Sequence, residues 1–116
     1  MSLIREKYNS FATVLKQLHS DVAVTHIEVP ELRKRVASLQ EFFQQQIVPL
    51  VNEDTDRNNE GRLQSYLTEM NKQLRLLEMD VMFFQGARQP STAKGRLDAI
   101  GDRLKTLIDY CHAILQ

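Results

Sequence analysis

The sequence predicts an all-α protein, folded as a single up-down-up-down antiparallel four-helix bundle spanning residues 1–116. Three observations predict it. Four segments carry apolar residues at alternating steps of four and three, which places each set on one stripe of a helix. No stretch alternates in twos over a useful length, as a half-buried strand would. Three short polar or proline-bearing connections separate the segments, and short connections make sequential helices antiparallel neighbours.

The first helix carries Ile4, Tyr8, Phe11, Leu15, Leu18 and Val22 on its stripe. The stretch Thr25-His26-Ile27-Glu28-Val29-Pro30 separates it from the second, and Pro30 suits a first helical turn, where its missing N–H costs nothing. The second helix carries Leu32, Val36, Leu39, Phe43, Ile47 and Leu50, with Pro49 expected to kink or end it near Val48 to Val51. The polar stretch from Asn52 to Gly61 reads as a loop. The third helix carries Leu63, Leu67, Met70, Leu74, Leu77, Val81 and Phe84. Gly86 to Ser91 forms the third connection, with Ser91 or Thr92 as the expected N-cap of the fourth helix. That last helix carries Ala93, Leu97, Ile100, Leu104, Leu107, Cys111 and Ile114. Gly95 and Gly101 fall inside it. Gly101 sits on the flank of the stripe, where a missing side chain is expected to admit a neighbouring backbone.

Composition narrows the function. In 116 residues, 15 Lys+Arg balance 15 Asp+Glu, and the charges are spread over both halves. A neutral chain without a basic tail argues against a nucleic-acid binder or a protein held on anionic lipid by charge. One cysteine permits no intrachain disulfide, so a reducing, cytoplasmic setting is expected. No apolar run approaches the length of a membrane span, and the N-terminal residues break into charge at Arg5-Glu6-Lys7.

Chemistry-bearing motifs are weak. There is no Gly-rich phosphate loop, nucleophile elbow or metalloprotease helix. A di-metal bundle site needs two Glu-x-x-His pairs and two more glutamates, and Asp109-Tyr110-Cys111-His112 is a single imperfect pair. Asp54-Thr55-Asp56-Arg57-Asn58 begins like a calcium loop, but Asn59 replaces the required Gly and Ser65 the bidentate Glu. Cys111 lies on the apolar stripe, where a thiol is inert core filling. Arg33-Lys34-Arg35 reads as a solvated face, with contact to an acidic protein as the functional alternative. No enzyme, metal or cofactor is expected.

The third helix is different. Its core stripe is complete without Leu76, Met79, Met82 and Phe83, which rotate away from it at 100° per residue. These four are the candidate partner-binding residues. Methionine and aromatic side chains are types that such surfaces favour. Binding through this strip is expected to depend little on salt. Cover by Phe42, Ala87 and the chain ends is the structural alternative.

The run Leu74-Arg75-Leu76-Leu77-Glu78-Met79-Asp80-Val81-Met82-Phe83-Phe84-Gln85-Gly86-Ala87-Arg88-Gln89-Pro90 resembles the heterocyst frequency control protein PatD family of cyanobacteria. So do Arg96-Leu97, Arg103-Leu104, Leu107-Ile108 and Tyr110-Cys111 before Ile114-Leu115, and the short length. The resemblance covers roughly the last 45 residues. It implies a small non-enzymatic cytoplasmic regulator of heterocyst differentiation and cell division that engages FtsZ, the tubulin-like division GTPase, and influences its assembly. It supplies no active-site residues. Another helical adaptor, or a structural homodimer, is the alternative the residues leave open.

Overall fold

The computed structural model describes residues 3–24, 27–52 and 57–116, with the backbone alone at 51, 52 and 57–60. Among these residues there are four α-helices and no strand: α1 (Leu3–Val24), α2 (Val29–Phe42), α3 (Arg57–Gly86) and α4 (Pro90–Leu115). The steps of four and three have become the core. Every stripe residue named above is buried except Ile4, Phe84, Ala93, Leu97 and Ile114, which are partly covered. The molecule measures 50 × 22 × 21 Å. The long axis matches the roughly 45 Å expected of a 30-residue helix, so helix length sets its shape.

Specific contacts fix the sense of neighbouring helices. Arg5, at the start of α1, donates to the Leu115 carbonyl at the end of α4 at 2.8 Å. Arg62, near the start of α3, donates to the Ala113 carbonyl, also at 2.8 Å. Two guanidinium groups thus satisfy carbonyls that the α4 terminus leaves unpaired, at the negative end of its dipole. α1 and α3 therefore each run antiparallel to α4. Between α2 and α3, Gln40 reaches the Leu74 carbonyl and the Glu78 carboxylate, while Gln44 reaches Asn71. Later residues of α2 meet earlier residues of α3, so this pair is antiparallel as well. Phe11 stacks on Phe42 at 5.7 Å, and Arg35 pairs with Asp21 at 2.8 Å, giving α1 and α2 the same relation. The hydrogen bond from Arg35 is the chief cause that holds the Asp21 carboxyl below its usual range.

Several boundaries differ from expectation. The disturbance from Pro49 begins earlier than Val48. α2 loses its regular ladder at Phe43, passes through a π-turn at Phe43–Ile47 and closes in a 3-10 turn at Val48–Asn52. The Val48 N–H reaches back five residues to the Phe43 carbonyl. Pro49 has no N–H for the Gln45 carbonyl and its ring crowds that carbonyl, so the turn before it widens. Phe43 and Ile47 stay buried throughout.

α3 begins earlier than the polarity of the preceding stretch predicts. Residues 53–56 lie outside the described residues, and so does most of the calcium-like sequence; α3 already runs from Arg57. The expected cap of α4 is also corrected. The helix begins at Pro90, with Gln89 in extended backbone at its N-cap position, so Ser91 and Thr92 lie inside the first turn. Proline is preorganised for a first helical position and starts the helix there. Gly101 does not mark a close backbone approach: a Cβ there would meet nothing within 4 Å, and the same holds for Gly95.

Candidate functional site

The outer face of α3 collects the exposed apolar side chains singled out in the sequence. Inner positions Met70, Leu74, Leu77 and Val81 are buried against the other helices. The rotation that buries them turns the next positions outward. Met79 is 48% exposed, Met82 64% and Phe83 47%. Leu76 is half-buried. Met79 forms the crest, with Leu76 and Phe83 on the α4 side and Met82 on the α2 side.

The flanks of this ridge are built by other helices. On the α4 side, the Arg96 guanidinium lies over the Phe83 ring at 4.7 Å from its centroid. A cation over an aromatic face is attracted by the ring quadrupole and holds the ring in place. Below it, Arg103 donates to the Asp80 carboxylate at 2.9 Å and to Gln73 at 3.1 Å. Asp80, 8% exposed, is the buried charge of the described core, and this pair ties α3 to α4 beneath the ridge. On the α2 side a groove of about 360 Å³ runs between the helices. Val36, Ala37, Val81 and Met82 give it apolar walls, and Arg33, Gln40, Glu78 and Gln85 its polar edges.

Neither Arg96 nor Asp80 was singled out from the sequence as part of the site. Asp80 read as an interruption of an apolar run. Its signal was its place on the flank of the stripe, matched by Arg103 on the corresponding flank of α4. Arg96 had no such signal, since its contact depends on how α4 lies along α3.

Elsewhere the chemistry-bearing residues lie apart from one another. Asp109 accepts from Lys105 at 3.2 Å, and no three His, Cys, Asp or Glu residues converge among the described residues. Cys111 is fully buried, and burial pushes its thiol up to about 12. A thiol so placed stays protonated and unreactive. The Tyr8 hydroxyl is buried without a hydrogen-bond partner among the described residues, and burial together with nearby Cys111 raises it above its ordinary value. Arg35 pairs with Asp21, while Arg33 stands at the groove. No helix among the described residues is long and apolar enough to cross a membrane.

No curated protein and no solved structure matches the chain significantly. The family model for the CRR41 C-terminal domain matches residues 10–111. That span runs from the first third of α1 to the last turns of α4 and takes in the ridge, the groove and the Asp80–Arg103 tie. The chain belongs to the family of the CRR41 C-terminal domain.

Proposed function

We propose that this chain is a small, non-catalytic cytoplasmic regulator that binds another protein through the outer face of α3. Leu76, Met79, Met82 and Phe83 supply the contact, and the frame is a single up-down-up-down antiparallel four-helix bundle. The partner favoured by the resemblance of residues 74–90 to the PatD family is FtsZ, the tubulin-like division GTPase, with an effect on its assembly during heterocyst differentiation and cell division. The observation that carries the binding reading is the exposure of Met79, Met82 and Phe83 side by side on one helix whose other face is already buried. Exposed apolar side chains that are contiguous, rather than scattered, are the usual mark of an interaction surface. Residues 74–86 of the run that carries the resemblance lie on this helix, and its remaining motifs lie on α4.

A structural homodimer would use the same ridge. It is the weaker reading, because pairing two ridges would bring together two copies of one set of cations, Lys72, Arg75 and Arg96, and like charges gathered at an interface are unfavourable. Co-sedimentation with FtsZ assembled in GTP tests the proposal. The chain is expected in the polymer pellet. A chain that stays in the supernatant under all nucleotide conditions refutes FtsZ as the partner.

A further inference from the structure

We propose that the ridge and the α2–α3 groove together receive an acidic amphipathic segment of a partner protein, with its apolar side chains on Met79, Met82 and Phe83 and its carboxylates on the surrounding arginines. This rests on the binding reading above and names the chemistry of what is bound.

Charge complementarity selects the occupant. The whole chain is neutral, yet the ridge is not. Lys72 and Arg75 precede Met79 by two turns and one turn on the same face of α3, and both are exposed. Arg96 stands over Phe83 from α4, and Arg33 stands at the groove beside Met82 from α2. None of these four cations has a carboxylate partner among the described residues. The carboxylate at the groove is Glu78, and it already accepts a hydrogen bond from Gln40 at 3.0 Å. The salt bridges among the described side chains use Arg35, Lys94, Arg103 and Lys105, away from the crest. Three separate helices thus bring unpaired positive charge to the border of one apolar strip. An apolar centre with a polar, charged rim is how protein interfaces are built, and the sign of the rim selects the partner.

An anionic lipid surface would also match methionine, phenylalanine and arginine side chains. The groove favours a polypeptide. A concave site with apolar walls and amide-bearing edges accepts an inserted side chain and its backbone, whereas a flat bilayer surface leaves it unfilled. The arginine rim also changes the expected salt response. Binding through the apolar strip alone would be nearly independent of salt, but with these cations engaged it should weaken as salt rises.

The test presents the whole chain to a random library of displayed 16-residue peptides. Enriched sequences are measured by fluorescence anisotropy and by NMR of ¹³C-labelled methionine methyls. The expected result is enrichment of peptides rich in Asp and Glu with helically spaced apolar residues. Their binding should shift the Met79 and Met82 methyls while leaving that of buried Met70 unmoved. It should weaken at least tenfold from 50 to 500 mM salt, and at least tenfold in the triple variant Arg33→Glu, Arg75→Glu, Arg96→Glu. A second triple variant with Gln at the same positions guards against misfolding, and both are checked by thermal melt. Neutral or basic enriched peptides, no binders at all, or binding that moves other residues overturns the proposal. Sedimentation with vesicles of phosphatidylcholine and phosphatidylglycerol at physiological salt is run in parallel. Vesicle binding without peptide binding overturns it in favour of lipid. Acidic-peptide binding without FtsZ co-sedimentation leaves the surface chemistry standing and removes FtsZ; the converse places the FtsZ contact on another face.

Discussion

The double substitution Met79→Lys, Phe83→Glu separates a binding surface from a core. Met79 and Phe83 are each about half exposed, at 48% and 47%. Fully burying such a side chain is worth about 1.5–3 kcal/mol, so the half-covered Phe83 contributes about 1 kcal/mol through burial. Its contact with Arg96 at 4.7 Å adds about 0.5–1 kcal/mol. Lys at position 79 keeps an aliphatic stem over the surface that Met covers and lifts its charge into water. Glu at position 83 faces Arg96 and exchanges a cation–aromatic contact for an ion pair of similar small worth. The expected cost is therefore under about 2 kcal/mol, a fall in melting temperature of about 5–10 °C for a domain of this size. Two unpaired charges forced into a core would instead cost several kcal/mol each and exceed the stability of most domains. Circular dichroism at 222 nm during a thermal melt reads the difference. Partner binding should fall by at least about 2 kcal/mol, roughly thirty-fold. A collapsed melt would return these residues to the core. An intact melt with undiminished binding would move the site elsewhere, first to the polar face of α1 around Arg5, Glu6, Asn9, Thr13 and Lys16.

Four further outcomes follow from the packing. Leu15→Ala and Leu104→Ala, both at fully buried positions, should each cost about 3–5 kcal/mol in chemical denaturation, and Leu67→Ala about 2–3; losses below about 1 kcal/mol at all three would show the register to be wrong. Arg103→Met leaves the Asp80 carboxylate without its cation and should cost about 2–3 kcal/mol, whereas joining it to Asp80→Leu should recover much of that loss; equal destabilisation in single and double variants would count against the pair as the cause. Gly101→Ala meets open space and should raise stability by about 0.5–1 kcal/mol, and a loss would reveal an approach at that position that the structure does not have. Burial raises Tyr8 and Cys111, so the folded chain keeps protons that the unfolded chain releases. That contribution is complete below the ordinary thiol value of 9.0 and is lost as pH climbs toward about 12; the melting temperature should fall across this interval and Cys111 should resist a thiol reagent at pH 8, while rapid labelling of the native chain would contradict the burial.

The four-helix pattern was legible because burial selects residues one by one along each stripe. Leu32, Val36, Leu39, Phe43 and Ile47 keep their spacing and their burial even where the helix beneath them widens into a π-turn. The early onset of that turn was not legible as a boundary, because Pro49 acts backward on the carbonyl four residues before it while apolar spacing records only which side faces inward. The polarity of residues 57–60 predicts a loop, yet polarity reports exposure, and an exposed helical turn is polar as well. The N-cap of α4 was misplaced because Ser91 and Thr92 are good capping types, while Pro90 just before them is a better first helical residue. Of the candidate site, Met79, Met82 and Phe83 were legible from rotation alone. The placement of Arg96 and Arg33 was not, since it depends on how α4 and α2 lie against α3, which no single-helix period contains.

The outer face of α3 is proposed to bind a protein, with FtsZ as the favoured partner. Co-sedimentation of the wild-type chain and of the Met79→Lys, Phe83→Glu variant with FtsZ, assembled in GTP and unassembled in GDP, tests it most directly. The wild-type chain is expected to enter the polymer pellet and the equally well-folded variant to stay in the supernatant. Equal pelleting of both chains, or of neither, would contradict it.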